Sequence, residues 1–499
     1  MRKILLLALL AANGIAGLFV LPLAAGEPTG PMDIGSRLEL FIDGVLIEKM
    51  SGQAALRLHH PVPRELALSF DRPWEGSASG YVTVFRDGEV FRMYYRGCHL
   101  EVKQGSYSIS PEYTCYAESR DGIHWTRPNL GLFEVAGTRA NNVILTPESG
   151  ATHNFSPFLD TRPNVPAAER YKAVGGVAGG LFAFVSADGI RWKKLSDKQI
   201  ITKGDFDSQN VAFWDAHRGE YRAYSRQYRE GRDIVVSSSK DFLTWTDPVF
   251  LKYSPERTSE LYTSQVQPYH RAPHLLIGFP TRYLDRGWLA ATAFLPDVEH
   301  RRLCATTQEA RLGTAVTDGM LMASRDGLNF RVWPESFIRP GLRTGSSWFY
   351  GDIYQALGLV ETKSAIEESP DELSLYATEA VSRRGALRRY TLRIDGFVSV
   401  AAPLAGGEML SRPIVFRGRE LVMNYSTSGA GGIRVEIQDA DGHPIPGFSL
   451  AEAEVMFGDS LQQPVLWKGG SDVSKLAGKP VRLKFEIKDA DLYSIRFRE

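Results

Sequence analysis

A short motif recurs along the chain and constrains its fold more than any other feature of the sequence. The pattern Ser-x-Asp-Gly-x-x-Trp occupies residues 119–125 and 186–192, and related copies lie at 239–245 and 324–330. A weaker copy follows at 393–397. Asp-Gly favours a tight turn, and the aromatic residue after it packs between neighbouring sheets. Repetition of such a unit at long spacing predicts a repeat architecture.

Three β-rich segments precede each copy of the motif. In the first unit these are residues 81–85, 90–95 and 114–117, with a turn at Asp87-Gly88. The other units have the segments 154–158, 171–174 and 181–185; 211–214, 221–224 and 233–236; 266–269, 274–278 and 319–322; and 357–360, 373–376 and 389–392. Five such units predict a five-bladed β-propeller. Their unequal spacing indicates loops of variable length on a fixed scaffold, as in enzymes.

The repeat stops after Phe397, and the remaining segments alternate apolar and polar residues with a period of two. These segments are 421–425, 433–437, 465–467, 481–487 and 492–497. About 100 residues of this kind suit a β-sandwich. The predicted fold class is therefore all-β, with a five-bladed propeller over 36–397 followed by a C-terminal β-sandwich over 398–499. The early segment 38–42 has two alternative partners: it joins the sandwich or it closes the propeller.

The N-terminus has the pattern of an export signal. Arg2 and Lys3 precede an uncharged apolar stretch, and small residues follow at 24–26. This pattern predicts a signal peptide over residues 1–26 and a periplasmic or extracellular protein, with no membrane span in the mature chain. An uncleaved anchor is the alternative, because about 20 apolar residues can cross a bilayer.

Composition narrows the classes of partner and cofactor. The 58 basic and 58 acidic residues cancel, so overall charge gives no reason to expect a nucleic-acid partner. The three cysteines, Cys98, Cys115 and Cys304, show no spacing typical of zinc. A disulfide between Cys98 and Cys115 is one alternative for an exported chain.

Propeller geometry predicts where the polar residues of the blades meet. The start of the first strand and the end of the second open on the same face, because the two strands are antiparallel. The polar and aromatic residues at these points are Glu75 with Trp74; His153 with Asn154; Asp207 with Gln209 and Asn210; Glu260 with Tyr262; Asp352 with Trp348; and Arg96, Arg226, Arg282 and Glu379. We expect them to converge on one pocket.

Carboxylates from different blades facing one channel suit hydrolysis of a glycosidic bond. That reaction needs a carboxylic acid that protonates the leaving oxygen and a second carboxylate as base or nucleophile. The expected catalytic residues are Glu260 as acid, Asp207 as base or nucleophile, and Glu75 as an orienting carboxylate. Each also has an ordinary structural interpretation, as a turn residue or as part of a solvated face.

The remaining residues of the ring are expected to bind substrate. His153, Asn154, Gln209 and Asn210 can bond sugar hydroxyls, and Trp74, Tyr262 and Trp348 offer flat faces to a pyranose. Asp352 and Glu379 are reserve carboxylates. The arginines Arg96, Arg226 and Arg282 suggest an anionic sugar, since a guanidinium binds a carboxylate or sulfate through two hydrogen bonds. Salt bridges between blades are the alternative for the arginines.

The repeated hairpins, the Ser-x-Asp-Gly-x-x-Trp turns and the C-terminal β-rich region together resemble the superfamily of invertases, arabinanases and β-fructosidases. The resemblance covers roughly residues 71–397 and is one of architecture. It implies three carboxylates at blade starts and hydrolysis without an organic cofactor; a structural calcium ion in the channel stays open. The superfamily's Trp-Met-Asn-Asp-Pro-Asn box is absent, and His153-Asn154 stands where relatives have an aspartate.

The sequence thus predicts an exported glycosidase that acts on an oligo- or polysaccharide, with an acidic glycan as one substrate class. The alternatives are a non-catalytic carbohydrate-binding propeller, a protein-binding propeller, and a uronate lyase that uses a Tyr, His or Arg base.

Overall fold

A computed structural model describes residues 30–381 and 383–499. The chain is all-β, and its sheets are arranged as a β-propeller, as predicted. The predicted signal peptide lies outside the described residues. Within them, no helix combines the length and the apolar character needed to cross a membrane.

Five short strands begin the described chain, and most of them pair with strands that come much later. They are β1 (Met32–Gly35), β2 (Glu39–Leu40), β3 (Ile47–Gly52), β4 (Ala55–Leu58) and β5 (Val62–Ser69).

Three four-stranded antiparallel sheets follow in chain order. The first contains β6 (Gly80–Asp87), β7 (Val90–Gly97), β10 (Tyr113–Ser119) and β11 (Val143–Leu145), with the hairpin β8 (Leu100–Lys103) and β9 (Ser106–Ile109) inserted before β10. The second contains β12 (Ser156–Leu159), β13 (Tyr171–Gly175), β14 (Phe182–Ser186) and β15 (Lys193–Lys194). The third contains β16 (Val211–Asp215), β17 (Glu220–Tyr228), β18 (Arg232–Ser239) and β19 (Val249–Phe250). Short 3₁₀ turns lie at Pro147–Ser149 and Ala167–Glu169.

The fourth sheet is larger and the fifth is closed by an early strand. The fourth contains β20 (Lys252–Ser254), β21 (Glu260–Leu261), β22 (Gln267–Tyr269), β23 (Ala272–Gly278), β24 (Thr281–Asp285), β25 (Ala315–Ser324) and β26 (Asn329–Ile338). Between β24 and β25 lie a 3₁₀ turn (Ala290–Phe294) and the helices α1 (Val298–Ala305) and α2 (Arg311–Thr314). The fifth contains β27 (Val360–Thr362), β28 (Glu372–Glu379), β29 (Ala386–Arg393) and β5.

The prediction of a propeller is confirmed, whereas its number of blades is not, because four blades are found in place of five. Four of these sheets have four strands each, whereas the fourth along the chain has seven. The three additional strands come from the connections on either side of β22 and β23. Their backbone pairs with the sheet as β20, β21 and β24.

The repeated motif forms the turn that the sequence predicts. In the second sheet, Asp188 Oδ1 accepts the backbone N–H groups of Ile190 at 2.8 Å and Arg191 at 2.7 Å. Gly189 adopts φ 75°, a left-handed conformation that glycine tolerates best. The same pattern of bonds recurs at Asp121, Asp241 and Asp326. These aspartates are therefore turn formers.

A buried tyrosine on the second strand of a sheet donates a hydrogen bond to the motif turn of another sheet. Tyr94 donates to the Gly189 carbonyl at 3.0 Å, and Tyr224 donates to that of Gly327 at 2.9 Å. Tyr376 of the fifth sheet donates to the Gly122 carbonyl of the first, which closes the ring. The motif therefore joins blades as well as turning the chain.

The C-terminal residues form an eight-stranded sheet together with β2, β3 and β4. Its other strands are β30 (Val398–Ala402), β31 (Gly407–Ser411), β33 (Glu420–Gln438), β34 (Asp459–Pro464) and β35 (Arg482–Arg498); β32 (Ile414–Phe416) pairs with β1, and a 3₁₀ turn lies at Ser474–Leu476. The segment 38–42 thus pairs with the C-terminal sheet, through Glu39 opposite Ile495, and β5 closes the propeller instead. One buried cluster contains residues from both ends of β33, including Leu421 and Ile437.

All three cysteines are buried and free, so the alternative of a Cys98–Cys115 disulfide does not apply to this structure.

Candidate functional site

A cavity of about 260 Å³ lies among the loops on one face of the sheets. It is lined by the segment 77–81 and Arg96 of the first sheet, by the β8–β9 hairpin, by the α1–α2 segment and by the loop 349–354. Five tyrosines line it: Tyr81, Tyr107, Tyr262, Tyr350 and Tyr354. Tyrosine rings with polar tips suit a ligand that has both flat apolar faces and hydroxyl groups, as a sugar has.

The β8–β9 hairpin and helix α1 cover the cavity from two sides. At the hairpin tip, the Gly105 N–H donates to Thr306 Oγ1 just after α1, at 3.0 Å. The hairpin lines the cavity with Leu100 and Tyr107, and α1 lines it with His300 and Cys304. Both are insertions between strands of a blade, and the unequal spacing of the repeats had predicted loops of variable length but not that they would line the site.

A chain of three polar side chains crosses the cavity wall. His153 places Nε2 2.9 Å from Asp207 Oδ1 and Nδ1 2.9 Å from Glu112 Oε1. Arg96 Nη1 lies 3.4 Å from Glu112 and its guanidinium stacks 4.5 Å from the Tyr81 ring. The positive charge of Arg96 thus lies beside the Glu112 carboxylate.

Asp207 is ionised over the whole ordinary pH range. Burial alone would raise its pKa, but the hydrogen bond from His153 and the charges of His153, Arg226 and Arg96 outweigh burial and lower the pKa to about 2. The side chain nevertheless stays 54% exposed toward the cavity. Asp207 can therefore accept a proton from a bound molecule, and it is a poor proton donor.

Tyr262 lies between guanidinium groups. The Cζ atoms of Arg226 and Arg232 lie 5.2 Å and 5.1 Å from the centre of its ring. Its oxygen accepts a hydrogen bond from the Tyr350 hydroxyl at 2.7 Å. Burial and the Asp207 charge raise the Tyr262 pKa, but Arg226, the Tyr350 hydrogen bond and Arg311 outweigh them, so the net pKa is lowered.

Other tyrosines of the cavity show the opposite shift. Burial is the main cause that raises the pKa values of Tyr81, Tyr350 and Tyr354 above the ordinary range for tyrosine. Two guanidinium groups face the Tyr262 ring and its oxygen accepts the Tyr350 hydrogen bond, whereas one guanidinium faces the Tyr81 ring and one faces the Tyr350 ring.

The structure brings together only part of the predicted catalytic set. Glu75 is 4% exposed and lies away from the cavity lining, where it accepts a hydrogen bond from Tyr95 at 2.6 Å and binds Arg127 at 3.1 Å. Glu260 accepts the Arg232 backbone N–H at 3.0 Å and binds its guanidinium at 2.8 Å. Neither carboxylate lines the cavity, and each forms a salt bridge with a neighbouring arginine.

The amides predicted to bind substrate form hydrogen bonds within the protein instead, most of them to backbone carbonyls. Asn154 donates to the carbonyls of Gly176, Phe206 and Ser208. Asn210 donates to the Phe206 and Ser208 carbonyls. Gln209 donates to Thr83 Oγ1 and accepts from Gln265 in the centre of the ring. These buried amides hold the blade starts in place.

Several other predicted residues also lie outside the lining. Arg226 lies behind it and contacts Asp207 at 3.5 Å. Arg282 forms a salt bridge with Asp318, and Glu379 forms one with Arg388. The indole N–H of Trp74 donates to the Asn142 side chain, and that of Trp348 donates to the Gly341 carbonyl. Asp352 accepts the Phe349 and Val381 N–H groups, and burial raises its pKa to about 7. Of the predicted set, Arg96, His153, Asp207 and Tyr262 line the cavity.

Sequence reasoning missed several residues of the site. Tyr81 and Tyr354 lie at blade starts, so the rule that selected the other residues also applied to them. Glu112 and Arg311 lie in insertions, and nothing in the sequence indicated that these fold back over the channel.

One group in the described part of the chain has the spacing of a metal site: Asp439, Asp441 and His443. These residues form a partly exposed turn after β33 and do not line the cavity.

Comparison with known proteins gives structural neighbours only. No protein-family model matches the chain, and no curated protein matches it. Among solved structures it is similar to a glycosyl hydrolase from Bacteroides ovatus (12% identity, 70% of this chain and 99% of that chain, TM-score 0.40). It is also similar to a thermostable family-43 glycoside hydrolase (10% identity, 70% of this chain and 96% of that chain, TM-score 0.40). A third similar structure is a fructofuranosidase from Schwanniomyces occidentalis (10% identity, 86% of this chain and 96% of that chain, TM-score 0.36).

These neighbours are glycoside hydrolases of the kind that the sequence resembles. At such identities and TM-scores the likeness carries no argument about activity, which has to come from the site.

Proposed function

We propose that the protein is an exported enzyme that cleaves glycosidic bonds of an oligo- or polysaccharide in this cavity. One observation supports the proposal above all: an ionised, accessible carboxylate, Asp207, held by His153 in a cavity lined by tyrosines. Tyrosine faces suit the sugar, and the carboxylate suits a base that activates water for attack at the anomeric carbon. The scheme needs no organic cofactor.

An anionic sugar is the proposed substrate class. Arg96 and Arg311 both line the cavity, and Arg311 Nη1 is a buried nitrogen without a hydrogen-bond partner among the described residues. A buried donor of this kind is costly unless a ligand satisfies it, and a guanidinium binds carboxylate or sulfate strongly.

We also propose that the seven-stranded sheet acts as the fifth blade, and that the C-terminal sheet folds on itself as a β-sandwich. The supports are the position of that seven-stranded sheet between the third and fifth in the chain and the single buried cluster that contacts both ends of β33.

The test is sugar release by the chain from Glu27 onward against matched neutral and acidic oligosaccharides and aryl glycosides. We expect release, faster from acidic substrates, and a loss of about 100-fold or more in kcat in Asp207→Asn, since that change removes the base. Asp205→Asn is the control, because Asp205 is an exposed neighbour whose carboxylate accepts the Tyr228 N–H and does not line the cavity. Binding without release, unchanged by Asp207→Asn, would favour a carbohydrate-binding protein instead.

A further inference from the structure

Cleavage of a glycosidic bond requires a proton for the leaving oxygen as well as a base. The predicted donor, Glu260, does not line the cavity. Of the described lining residues, Asp207 and Glu309 are the carboxylates; Asp207 is ionised, and Glu309 binds Arg311 Nε at 2.7 Å. Glu112 is bound to His153 and its pKa is lowered. Among the described residues that line the cavity, a proton donor therefore has to come from another class of side chain.

Tyr262 has the features of such a donor. Tyr350 donates a hydrogen bond to the Tyr262 oxygen, so the Tyr262 hydroxyl hydrogen is left for an acceptor in the cavity. The residue follows β21 and is fixed there by its backbone N–H, which donates to the Thr281 carbonyl at 2.7 Å. The backbone is therefore fixed at Tyr262, and the hydroxyl hydrogen of Tyr262 is not used in the bond with Tyr350.

The surroundings of Tyr262 also stabilise the phenolate that remains after proton transfer. Arg226 and Arg232 face the ring, and the Tyr350 hydrogen bond is already directed at the oxygen that becomes negative. Arg232 is in turn fixed by Glu260 at 2.8 Å. Preorganised donors and charges aimed at developing negative charge are a large source of catalytic stabilisation.

We infer that Tyr262 is the general acid of the site and donates its phenolic proton to the glycosidic oxygen. This inference rests on the proposed function. As the bond between the anomeric carbon and the leaving oxygen breaks, that oxygen takes the Tyr262 proton and departs as an alcohol. Water attacks the anomeric carbon and gives a proton to Asp207. The net reaction consumes one water, and proton exchange with solvent returns Asp207 to carboxylate and Tyr262 to phenol.

The contrast among the tyrosines supports this choice. Tyr81, Tyr350 and Tyr354 hold their protons more tightly than an ordinary tyrosine, because burial raises their pKa values. Tyr262 holds its proton less tightly, since the net pKa shift is downward. A lower pKa brings a phenol closer to the range in which general acids work near neutral pH.

The decisive experiment compares two leaving groups in Tyr262→Phe. A methyl glycoside or natural oligosaccharide needs a proton on its leaving oxygen, whereas a 2,4-dinitrophenyl glycoside of the same sugar does not. We expect kcat/KM to fall by about 100-fold or more for the first and by less than about 5-fold for the second, the range typical of a lost general acid. Tyr283→Phe is the control, because Tyr283 packs in the same cluster without lining the cavity.

Retained activity on the dinitrophenyl substrate also shows that the variant has folded. Equal losses for both leaving groups, with the wild type active on both, would overturn the role of Tyr262 and leave the proposed function standing. A wild type that is inactive on every glycoside tested would overturn both.

Discussion

His153 joins the two carboxylates of the cavity wall, and its charge affects Asp207 directly. The imidazole lies 2.9 Å from Asp207 and 2.9 Å from Glu112. The hydrogen bond and the charge of His153 are among the causes that lower the pKa of Asp207. Its effect on Asp207 can therefore be read from the low-pH side of a rate profile.

We predict that His153→Gln moves the acid limb of the kcat/KM profile to higher pH. Asp207 is active as a carboxylate, and its pKa of about 2 places the wild-type limb at very low pH. Glutamine keeps a hydrogen-bond donor but removes the positive charge, so the Asp207 pKa rises and activity is lost at a higher pH. His217→Gln, a change at an exposed histidine outside the cavity, is the control. An unmoved limb would show that Asp207 is not the group that titrates.

At the residue scale, the sequence was informative where strand starts alone determine position. Asp207, His153 and Tyr262 follow from that rule and line the cavity. Glu75 and Glu260 were selected by the same rule, but they form salt bridges with Arg127 and Arg232 and do not line the cavity. Which acid finds a partner depends on side-chain packing between distant segments, and a single sequence does not contain that information.

At the scale of elements, the tyrosine contacts between blades should contribute measurably to stability. Tyr224 is fully buried, and its hydroxyl donates to the Gly327 carbonyl at 2.9 Å. We predict that Tyr224→Phe lowers the free energy of unfolding by about 1–2 kcal/mol, because a buried carbonyl loses its donor. Tyr228→Phe, at an exposed position on the same strand, is the matched control.

Urea denaturation of the two variants measures this effect. A Tyr224→Phe midpoint equal to that of Tyr228→Phe would mean that the contact between blades adds nothing to stability.

Elements with strong local signals were predictable, and those built from long connections were not. The Ser-x-Asp-Gly turns follow from the side-chain chemistry of Asp and Ser, which is local. The strands β20, β21 and β24, by contrast, are two to five residues long and owe their pairing to the sheet beside them. The same holds for α1 and α2, which lie in a long connection and cover the cavity.

At the scale of the whole molecule, the propeller and the C-terminal sheet share buried contacts. Leu40 and Ile42 belong to one buried cluster with Leu321 of β25. Trp333 Nε1 donates to the Ile42 carbonyl at 3.1 Å, and Arg325 binds Glu39 at 2.8 Å. The two parts are therefore coupled by a continuous interface as well as by the chain.

We predict a single cooperative unfolding transition in calorimetry, lowered as a whole by Arg325→Met. Glu39 is fully buried and keeps its contact with Arg37 at 2.5 Å, so the change removes one charged hydrogen bond from Glu39 and one from Asp43, at a cost of about 1.5–3 kcal/mol. Arg343→Met, at an exposed position where the guanidinium donates to the Phe294 carbonyl, is the control. Two separate peaks, with only one moved by Arg325→Met, would show that the parts unfold independently.

The pairing of β5 with the fifth sheet also affects the order in which the chain folds. Leu68 of β5 pairs with Leu387 of β29. One of the first strands to be synthesised therefore pairs with one of the last strands of the propeller. The first three sheets, by contrast, are each built from consecutive segments of the chain. On a ribosome these sheets can form early as separate units, whereas β5 stays without its partner until nearly the whole ring has emerged. Ring closure is then a late and non-local event, and late pairing of distant strands is the slow part of folding.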